Sequence, residues 1–152
     1  MENHKINVRL RLIIIKNNKL LTQYTQKNNF YFYIGGHLDY GETIVDGCQR
    51  EIEEECGEGT KFEFKKILYI RDFIMPEDDE HSVELFILGK INRFEELEKK
   101  LDPQHPDGSM WCEWLDMEKL PSNLLPSELT EKLIKDYKNN FSNSGEYVGR
   151  IK

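Results

Sequence analysis

The chain has 152 residues and a formal net charge of −7 at pH 7, and 32% of its residues are charged. This length suits a single domain, residues 1–152, that can bury a sizeable core. The acidic balance argues against a nucleic-acid partner, because such a partner requires a basic surface. The longest apolar run, Leu12–Ile15, is too short for a signal segment or a membrane span, so we expect no membrane association.

Alternating apolar residues and clusters of turn-forming residues predict a series of strands along the chain. In order, these strands are 6–16, 20–26, 30–34, 62–74, 83–91 and 110–115. Helices are predicted at 44–56, 94–101 and 127–139. We expect a core over about 6–140, a loop at 102–109 and a weakly specified tail at 141–152. Strands mixed with helices on this scale indicate the α/β class.

The cysteines, Cys48, Cys56 and Cys112, are odd in number and have no CxxC spacing. Two of them lie on the core side of the predicted helix 44–56. This pattern predicts reduced, buried thiols in a cytoplasmic protein and argues against a zinc site.

Segment 36–58 carries glycine, glutamate and arginine residues at a distinctive spacing. Its defining positions are Gly36, Glu42, Arg50, Glu51, Ile52, Glu54, Glu55 and Gly57. Thr43 and Asp46 form a variant of the capping box that starts a helix, and Gly57 suits a left-handed stop. The segment is therefore predicted to be a loop, a helix and a second loop.

Three carboxylates converge on one face of this predicted helix. At about 100° per residue, Glu51, Glu54 and Glu55 lie together beside an apolar stripe, and Glu42 can join them from the preceding loop. Like charges near the C-terminal end of a helix are unfavourable. A hard divalent cation reverses this effect, because Mg²⁺ binds carboxylate oxygens together with water and substrate phosphates. A solvated acidic helix is the alternative interpretation.

The segment resembles the Nudix box, the metal-binding loop-helix-loop of a hydrolase superfamily that cleaves nucleoside diphosphates linked to a second group. Eight of the nine specified positions match, and the ninth, usually apolar, is Glu58. A second departure is Ile34, which stands where proline is usual before the glycine pair. The resemblance implies a Nudix-like α/β/α sandwich with a mixed β-sheet, in agreement with the predicted order of elements.

The resemblance also implies a set of metal ligands for Mg²⁺ or Mn²⁺. These ligands are the carboxylates of Glu51, Glu54 and Glu55 and a backbone carbonyl at Gly35 or Gly36. Arg50 matches the arginine that orients the carboxylates, although a plain surface partner of Glu54 is the alternative. Glu42 is either a further ligand through water or a cap of the loop.

The catalytic set that we predict is Glu51, Glu54 and Arg50, with one of the two glutamates as the general base. Nudix enzymes also recruit the base from a later loop. The outside candidates are Glu80, His81, Glu84 and Glu113, each of which is alternatively an ordinary loop or strand residue. His37 is expected to shape the loop rather than to titrate in catalysis.

Substrate contacts are predicted on the first and third strands. Arg9 and Arg11 share one face of the first strand, where they can meet phosphate or ribose or can form a solvated edge. The aromatic run 30–33 alternates faces, so one pair belongs to the core and the other can stack a base. We assign substrate contact to Tyr31 and Tyr33. The ADP-ribose-cleaving relatives often carry a proline near the position of Pro76, although a proline commonly ends a strand anyway.

The resemblance and the residues together predict a metal-dependent hydrolase that acts on a small nucleotide. ADP-ribose-like compounds and nucleotide sugars are favoured over noncanonical dNTPs. One alternative is a non-catalytic, regulatory Nudix domain, and another is an interaction domain that acts through its acidic surface. The sequence is compatible with a homodimer but does not require one.

Overall fold

One mixed sheet of eight strands forms the centre of the computed structural model, which describes residues 3–152. In chain order the strands are β1 (Asn7–Lys16), β2 (Lys19–Thr25), β3 (Phe30–His37), β4 (Phe62–Met75), β5 (Glu80–Ile91), β6 (Met110–Asp116), β7 (Leu124–Leu125) and β8 (Glu146–Gly149). The helices are α1 (Ile44–Cys56) and α2 (Thr130–Lys138). Short 3₁₀ turns lie at Pro76–Asp78, Glu95–Leu97 and Ser127–Leu129.

The strand order places β1 at the middle of the sheet. Across the sheet the order is β6-β2-β3-β1-β5-β4-β8, and β7 pairs with β3. β1 is antiparallel to β3 on one side and parallel to β5 on the other. β4 and β5 form a long antiparallel hairpin that closes through the turn Pro76–Asp78. Residues of β1 therefore lie between the end of β3 and the hairpin.

Two apolar cores lie on opposite faces of the sheet, because neighbouring residues of a strand point to opposite sides. On one face Leu10 and Leu12 pack with Cys48 and Ile52 of α1. On the other face Ile13 belongs to a second core that includes Leu133 of α2. Each helix thus covers one face, which confirms the predicted α/β/α sandwich.

The structure corrects one predicted element. The helix predicted at 94–101 is wrong, since this segment contains only the short 3₁₀ turn Glu95–Leu97. Lys99 adopts a φ of 62°, a left-handed conformation that interrupts a right-handed helix. Leu97 alone is buried in the turn, so little apolar surface favours a longer helix here.

Residues 141–152, for which the sequence pattern indicates no element, are ordered by contacts with the sheet. Phe141 is buried in the second core. β8 then pairs in parallel with β4, and Gly149 lies opposite Arg71. This pairing makes β8 the edge strand of the sheet next to β4 and brings the following residues beside the β4–β5 hairpin.

Cys48, Cys56 and Cys112 are all buried free thiols, as the sequence predicts. Among residues 3–152, every helix falls short of the length and apolar character needed to cross a bilayer.

Candidate active site

The helix at the centre of the site begins and ends as the sequence predicts. Thr43 is its N-cap, and the Thr43 side-chain oxygen accepts a hydrogen bond from the Asp46 amide at 3.1 Å. Gly57 follows the last turn with a φ of 102°, and its N–H donates to the Glu53 carbonyl. The helix α1 spans Ile44–Cys56, the range predicted from the capping residues.

Two glycines at the end of β3 let the helix carboxylates lie directly against the backbone. A Cβ at Gly35, whose φ is +146°, would come within 1.9 Å of the Leu10 carbonyl oxygen, so no side chain fits there. A Cβ at Gly36 would lie 2.7 Å from Glu51 Oε1. The Gly35 N–H donates to Glu55 Oε2 at 2.9 Å. Gly35 and Gly36 thus form a cradle for Glu51 and Glu55.

Arg50 gathers the acidic side chains of the loop and the helix. Its guanidinium donates to both carboxylate oxygens of Glu42, at 2.6 and 3.0 Å. It also donates to Glu51 at 2.9 Å and to Glu54 at 3.3 Å. A further bond runs from Arg50 Nη2 to the His37 carbonyl at 3.0 Å. Arg50 therefore positions three carboxylates and the end of β3 at once, which a surface partner of Glu54 alone would not do.

The environment shifts the pKa values of these acids in opposite directions. The hydrogen bonds from Arg50 and from the Asp39 backbone lower the pKa of Glu42. Burial raises the pKa of Glu51, although Arg50 opposes that shift. Burial, together with the nearby charge of Glu51, raises the pKa of Glu55 well above its usual value. Additional positive charge close by would therefore stabilise the ionised forms of Glu51 and Glu55.

The donor chemistry of this cluster fits a hard divalent cation. Among residues 3–152, no three acidic, histidine or cysteine side chains are gathered at metal-binding distances, and Glu51 and Glu54 are instead bonded to Arg50. Mg²⁺ does not need such a cage, because one or two carboxylates, water and substrate phosphates usually complete its octahedron. Carboxylates seated against the glycine cradle supply ligands of that type.

A cavity of about 1050 Å³ is lined in part by residues of β1 and β3, the strand that ends in the glycine cradle. Arg9 and Arg11 line it, and the β1–β3 register places Arg11 opposite Gly35 and Arg9 opposite His37. The positive charge of Arg11 lies near enough to the helix to favour the ionised forms of Glu51 and Glu55. Arg11 therefore links the cavity to the acidic cluster through its charge.

Three arginines in the cavity share one buried carboxylate. Glu84, whose side chain is 2% exposed, accepts from Arg11 Nε at 3.3 Å and from Arg71 Nη1 at 2.8 Å. Arg9 Nε lies 3.9 Å from the same carboxylate. Within residues 3–152, this buried Arg9 Nε has no hydrogen-bond acceptor. Glu84 supplies one negative charge to three guanidinium groups, so an anion can still bind beside these arginines.

The rings of the two predicted tyrosines pack against other aromatic residues. Tyr33 is fully buried, and its ring packs edge to face on Phe86 with centroids 5.3 Å apart. The ring of Tyr31 packs against Tyr24 at 4.8 Å. Tyr33 lines the cavity together with Phe30 and Phe32, whereas Tyr31 does not. Substrate contact by Tyr31 and Tyr33 therefore stays a prediction, and Phe30 and Phe32 are further aromatic candidates.

The outside candidates for the general base have other partners. Glu84 is engaged by the cavity arginines, and Glu113 forms an ion pair with Lys99. Glu80 lies 3.0 Å from His37 Nε2, beside the end of β3, and also contacts Ser82. Of the outside carboxylates, Glu80 therefore lies next to the loop that precedes α1.

Arg71 and Phe73 are cavity residues that sequence reasoning missed. Both lie in β4, and Arg71 is stacked 4.9 Å from the centroid of the Phe73 ring. The one signal available was an arginine directly after the apolar run Ile67–Ile70. Pro76 starts the turn after this strand, and its neighbours Met75 and Glu77 line the cavity.

An α/β/α sandwich in which an arginine-centred acidic loop-helix-loop adjoins a cationic cavity defines a Nudix-type domain. The family model for the NUDIX domain matches residues 7–137. The chain therefore belongs to the NUDIX domain family.

Solved structures of three proteins illustrate the shared fold. A NUDIX hydrolase from Nitrosomonas europaea matches with a TM-score of 0.67 and 20% identity, covering 92% of this chain and 93% of that one. A UDP-X diphosphatase matches with a TM-score of 0.69 and 15% identity, covering 96% and 69% of the two chains. An ADP-ribose pyrophosphatase from Streptococcus suis matches with a TM-score of 0.64 and 15% identity, covering 94% and 99%. At these identities the likeness establishes the fold.

Proposed function

We propose that this protein is a divalent-metal-dependent pyrophosphohydrolase. Its substrates are nucleoside diphosphates linked to a second moiety, with ADP-ribose-like compounds and nucleotide sugars ahead of noncanonical nucleoside triphosphates. A UDP-X diphosphatase and an ADP-ribose pyrophosphatase share the fold, which agrees with this order of preference.

The observation that carries the proposal is the junction between the acidic cluster and the cationic cavity. Carboxylates and phosphates repel each other, so an anionic substrate needs cations on both sides of the scissile linkage. Arg9 and Arg11 supply that charge within the cavity. The cavity, at about 1050 Å³, is at the upper end of the usual range for small-molecule sites. It therefore suits a substrate with two moieties.

In this proposal the chain's own residues bind and orient the reacting groups. Arg9 and Arg11 bind phosphate oxygens, and Arg50 holds the carboxylates of Glu51 and Glu54 in place. One of these two carboxylates accepts the proton of the attacking water at an Oε atom. Burial raises the pKa of Glu51, which brings that carboxylate closer to the range that suits a general base near neutral pH.

Glu51, Glu54 and Glu55 would hold the Mg²⁺ or Mn²⁺ ion, together with a backbone carbonyl of the glycine cradle. Such an ion, when bound, neutralises phosphate charge and lowers the pKa of water.

The test is turnover of a defined panel by the purified protein with Mg²⁺ and, separately, with Mn²⁺. The panel contains ADP-ribose, nucleotide sugars, dinucleoside polyphosphates and oxidised dNTPs, and products are identified by chromatography with mass detection. Glu54→Gln should abolish turnover. Glu53→Gln is the matched control, because Glu53 lies on the same helix but accepts a hydrogen bond from Gln49 instead of Arg50.

Turnover of a diphosphate-linked compound by the parent and by Glu53→Gln, lost in Glu54→Gln, is the expected result. If oxidised dNTPs alone are cleaved, the substrate class is wrong although the chemistry is right. Binding without turnover under both metals would indicate a non-catalytic Nudix domain.

A further inference from the structure

Residues 150–152, which we call the wall segment, line the cavity on the side of β4. They lie beyond residues 7–137, the range that matches the NUDIX domain family. Membership in the family therefore does not explain them. Their contacts show how they form one wall of the cavity.

The wall segment is fixed at both of its sides by hydrogen bonds. On one side Arg71 Nε donates to the Ile151 carbonyl at 2.9 Å, and Arg150 Nη2 donates to the Ile74 carbonyl at 2.9 Å. On the other side the Lys152 carbonyl accepts from the Glu128 amide at 2.7 Å. The segment thus connects β4 with the turn Ser127–Leu129 across the edge of the cavity.

A row of paired residues runs across the sheet from the acidic loop to the wall segment. The registers pair His37 with Arg9, Arg9 with Glu84, Glu84 with Arg71, and Arg71 with Gly149. Four strand spacings separate the two ends of this row, which is roughly 19 Å at about 4.8 Å per spacing. A ligand that extends from the glycine cradle to the wall segment must therefore be elongated.

Arg71 is the point at which the wall segment meets this row. Its guanidinium is held by Glu84 on one side and by the Ile151 carbonyl on the other. It also stacks near the ring of Phe73. A guanidinium fixed in this way loses little conformational freedom when a ligand binds, which favours affinity.

We propose that the wall segment is a specificity element that positions Arg71 and contacts the ligand moiety farthest from the scissile diphosphate. This inference rests on the proposed function, because it takes the diphosphate to lie beside Arg9 and Arg11. The wall segment distinguishes a nucleoside diphosphate with a second moiety from a shorter anion that reaches only Arg9 and Arg11. Its loss weakens binding of the long ligand and leaves binding of the short one unchanged.

The experiment compares two lengths of ligand by titration calorimetry. The long probes are ADP-ribose and UDP-glucose, and the short probe is inorganic pyrophosphate, all with Mg²⁺ on the Glu54→Gln background to prevent turnover. One variant ends after Gly149, which removes the wall segment but keeps β8. The second is Arg150→Ala, which removes one side-chain bond. KM and kcat are measured in parallel with Glu54 intact.

The matched control is Arg93→Ala, because Arg93 also donates from an exposed guanidinium to a backbone carbonyl, that of Glu58, and does not line the cavity. We expect both wall variants to bind a long probe about three- to tenfold more weakly, the loss that follows from one or two hydrogen bonds. KM should rise by the same factor, whereas kcat and the affinity for pyrophosphate should not change.

Unchanged affinity for the long probes in variants that melt at the parent temperature would overturn the inference. So would an equal loss of affinity for pyrophosphate, since that result means a general disturbance of the cavity. If shortening the chain prevents folding, Arg150→Ala decides. If the parent itself binds no long probe, the proposed function fails and the inference fails with it, an outcome distinct from the first two.

Discussion

The acidic loop-helix-loop and the cationic cavity meet in one site but are assembled in different ways. The first is contained in residues 36–58, and its members are brought together by one helix and the loop before it. The cavity draws Arg11, Arg71 and Glu84 from three strands, β1, β4 and β5, that are distant in the chain. The comparison shows that chemistry can be encoded locally, whereas ligand shape requires the complete sheet.

The largest expected effect concerns the cavity, which is assembled from strands that are distant in the chain. Glu84→Gln keeps the shape of the side chain but removes the carboxylate charge shared by three arginines. Breaking a buried ion-pair network in this way should lower the free energy of unfolding by about 3–5 kcal/mol. Denaturant unfolding measures it. Glu63→Gln, which removes an exposed partner of Lys65, is the control and should change stability little. Equal stability of both variants would mean that the arginines do not depend on Glu84.

Stabilisation by metal should depend on the acidic loop-helix-loop alone. A ligand present at 100 times its Kd stabilises the folded state by about 2.7 kcal/mol, so Mg²⁺ should raise the melting temperature of the parent. Glu51→Gln should reduce this shift. Phe32→Leu, a change in the cavity, should keep it. Loss of the metal-dependent shift in the cavity variant as well would contradict the separate roles of the two regions.

The third prediction concerns the residue that organises the loop. Arg50→Lys keeps the charge but cannot reach Glu42, Glu51 and Glu54 with one planar group. Since partners that orient metal ligands typically contribute 10–100-fold, kcat/KM should fall by about that factor. The melting temperature should change little, because Arg50 is partly exposed. Arg93→Lys is the control for the substitution itself, and an equal loss of activity there would contradict this role.

The smallest expected effect sharpens the assignment of aromatic residues. Arg11 lies 5.7 Å from the centroid of the Phe32 ring, and this contact helps to orient the guanidinium that we propose to bind phosphate. A cation–π contact contributes about 0.5–1 kcal/mol, so Phe32→Leu should raise KM roughly two- to fivefold. Tyr31→Leu, outside the cavity, should leave KM unchanged. A larger rise in KM for Tyr31→Leu than for Phe32→Leu would instead support the predicted substrate contact by Tyr31.

The contrast between local and long-range assembly also explains which features the sequence predicts. The bounds of α1 were predictable because Thr43, Asp46 and Gly57 act within a few residues of the helix. The sandwich was predictable because the resemblance to the Nudix box implies it and the predicted order of strands and helices agrees with it. The sharing of Glu84 by several arginines was not, because it depends on the register of β1, β5 and β4.

The packing of the aromatic run and the structure of the tail were not predictable, for a similar reason. Alternation shows that Tyr31 and Phe32 differ in side, but only the packing of the second core decides which side is buried. The segment 146–149 is too short to predict a strand alone. They form β8 because β4 offers an edge to pair with. Long-range pairing supplies the information that a local pattern lacks.

The uneven distribution of charge has a consequence for how fast an anionic nucleotide arrives. The whole molecule carries a net charge of −7, while inside the cavity Arg9, Arg11 and Arg71 surround the one carboxylate of Glu84. At a distance the protein repels an anion, and attraction begins only at the cavity mouth. Dissolved salt screens exposed charges over about 10 Å at 0.1 M but affects partly buried ones much less. Added salt should therefore weaken the outer repulsion more than the inner attraction, and association should tolerate ionic strength.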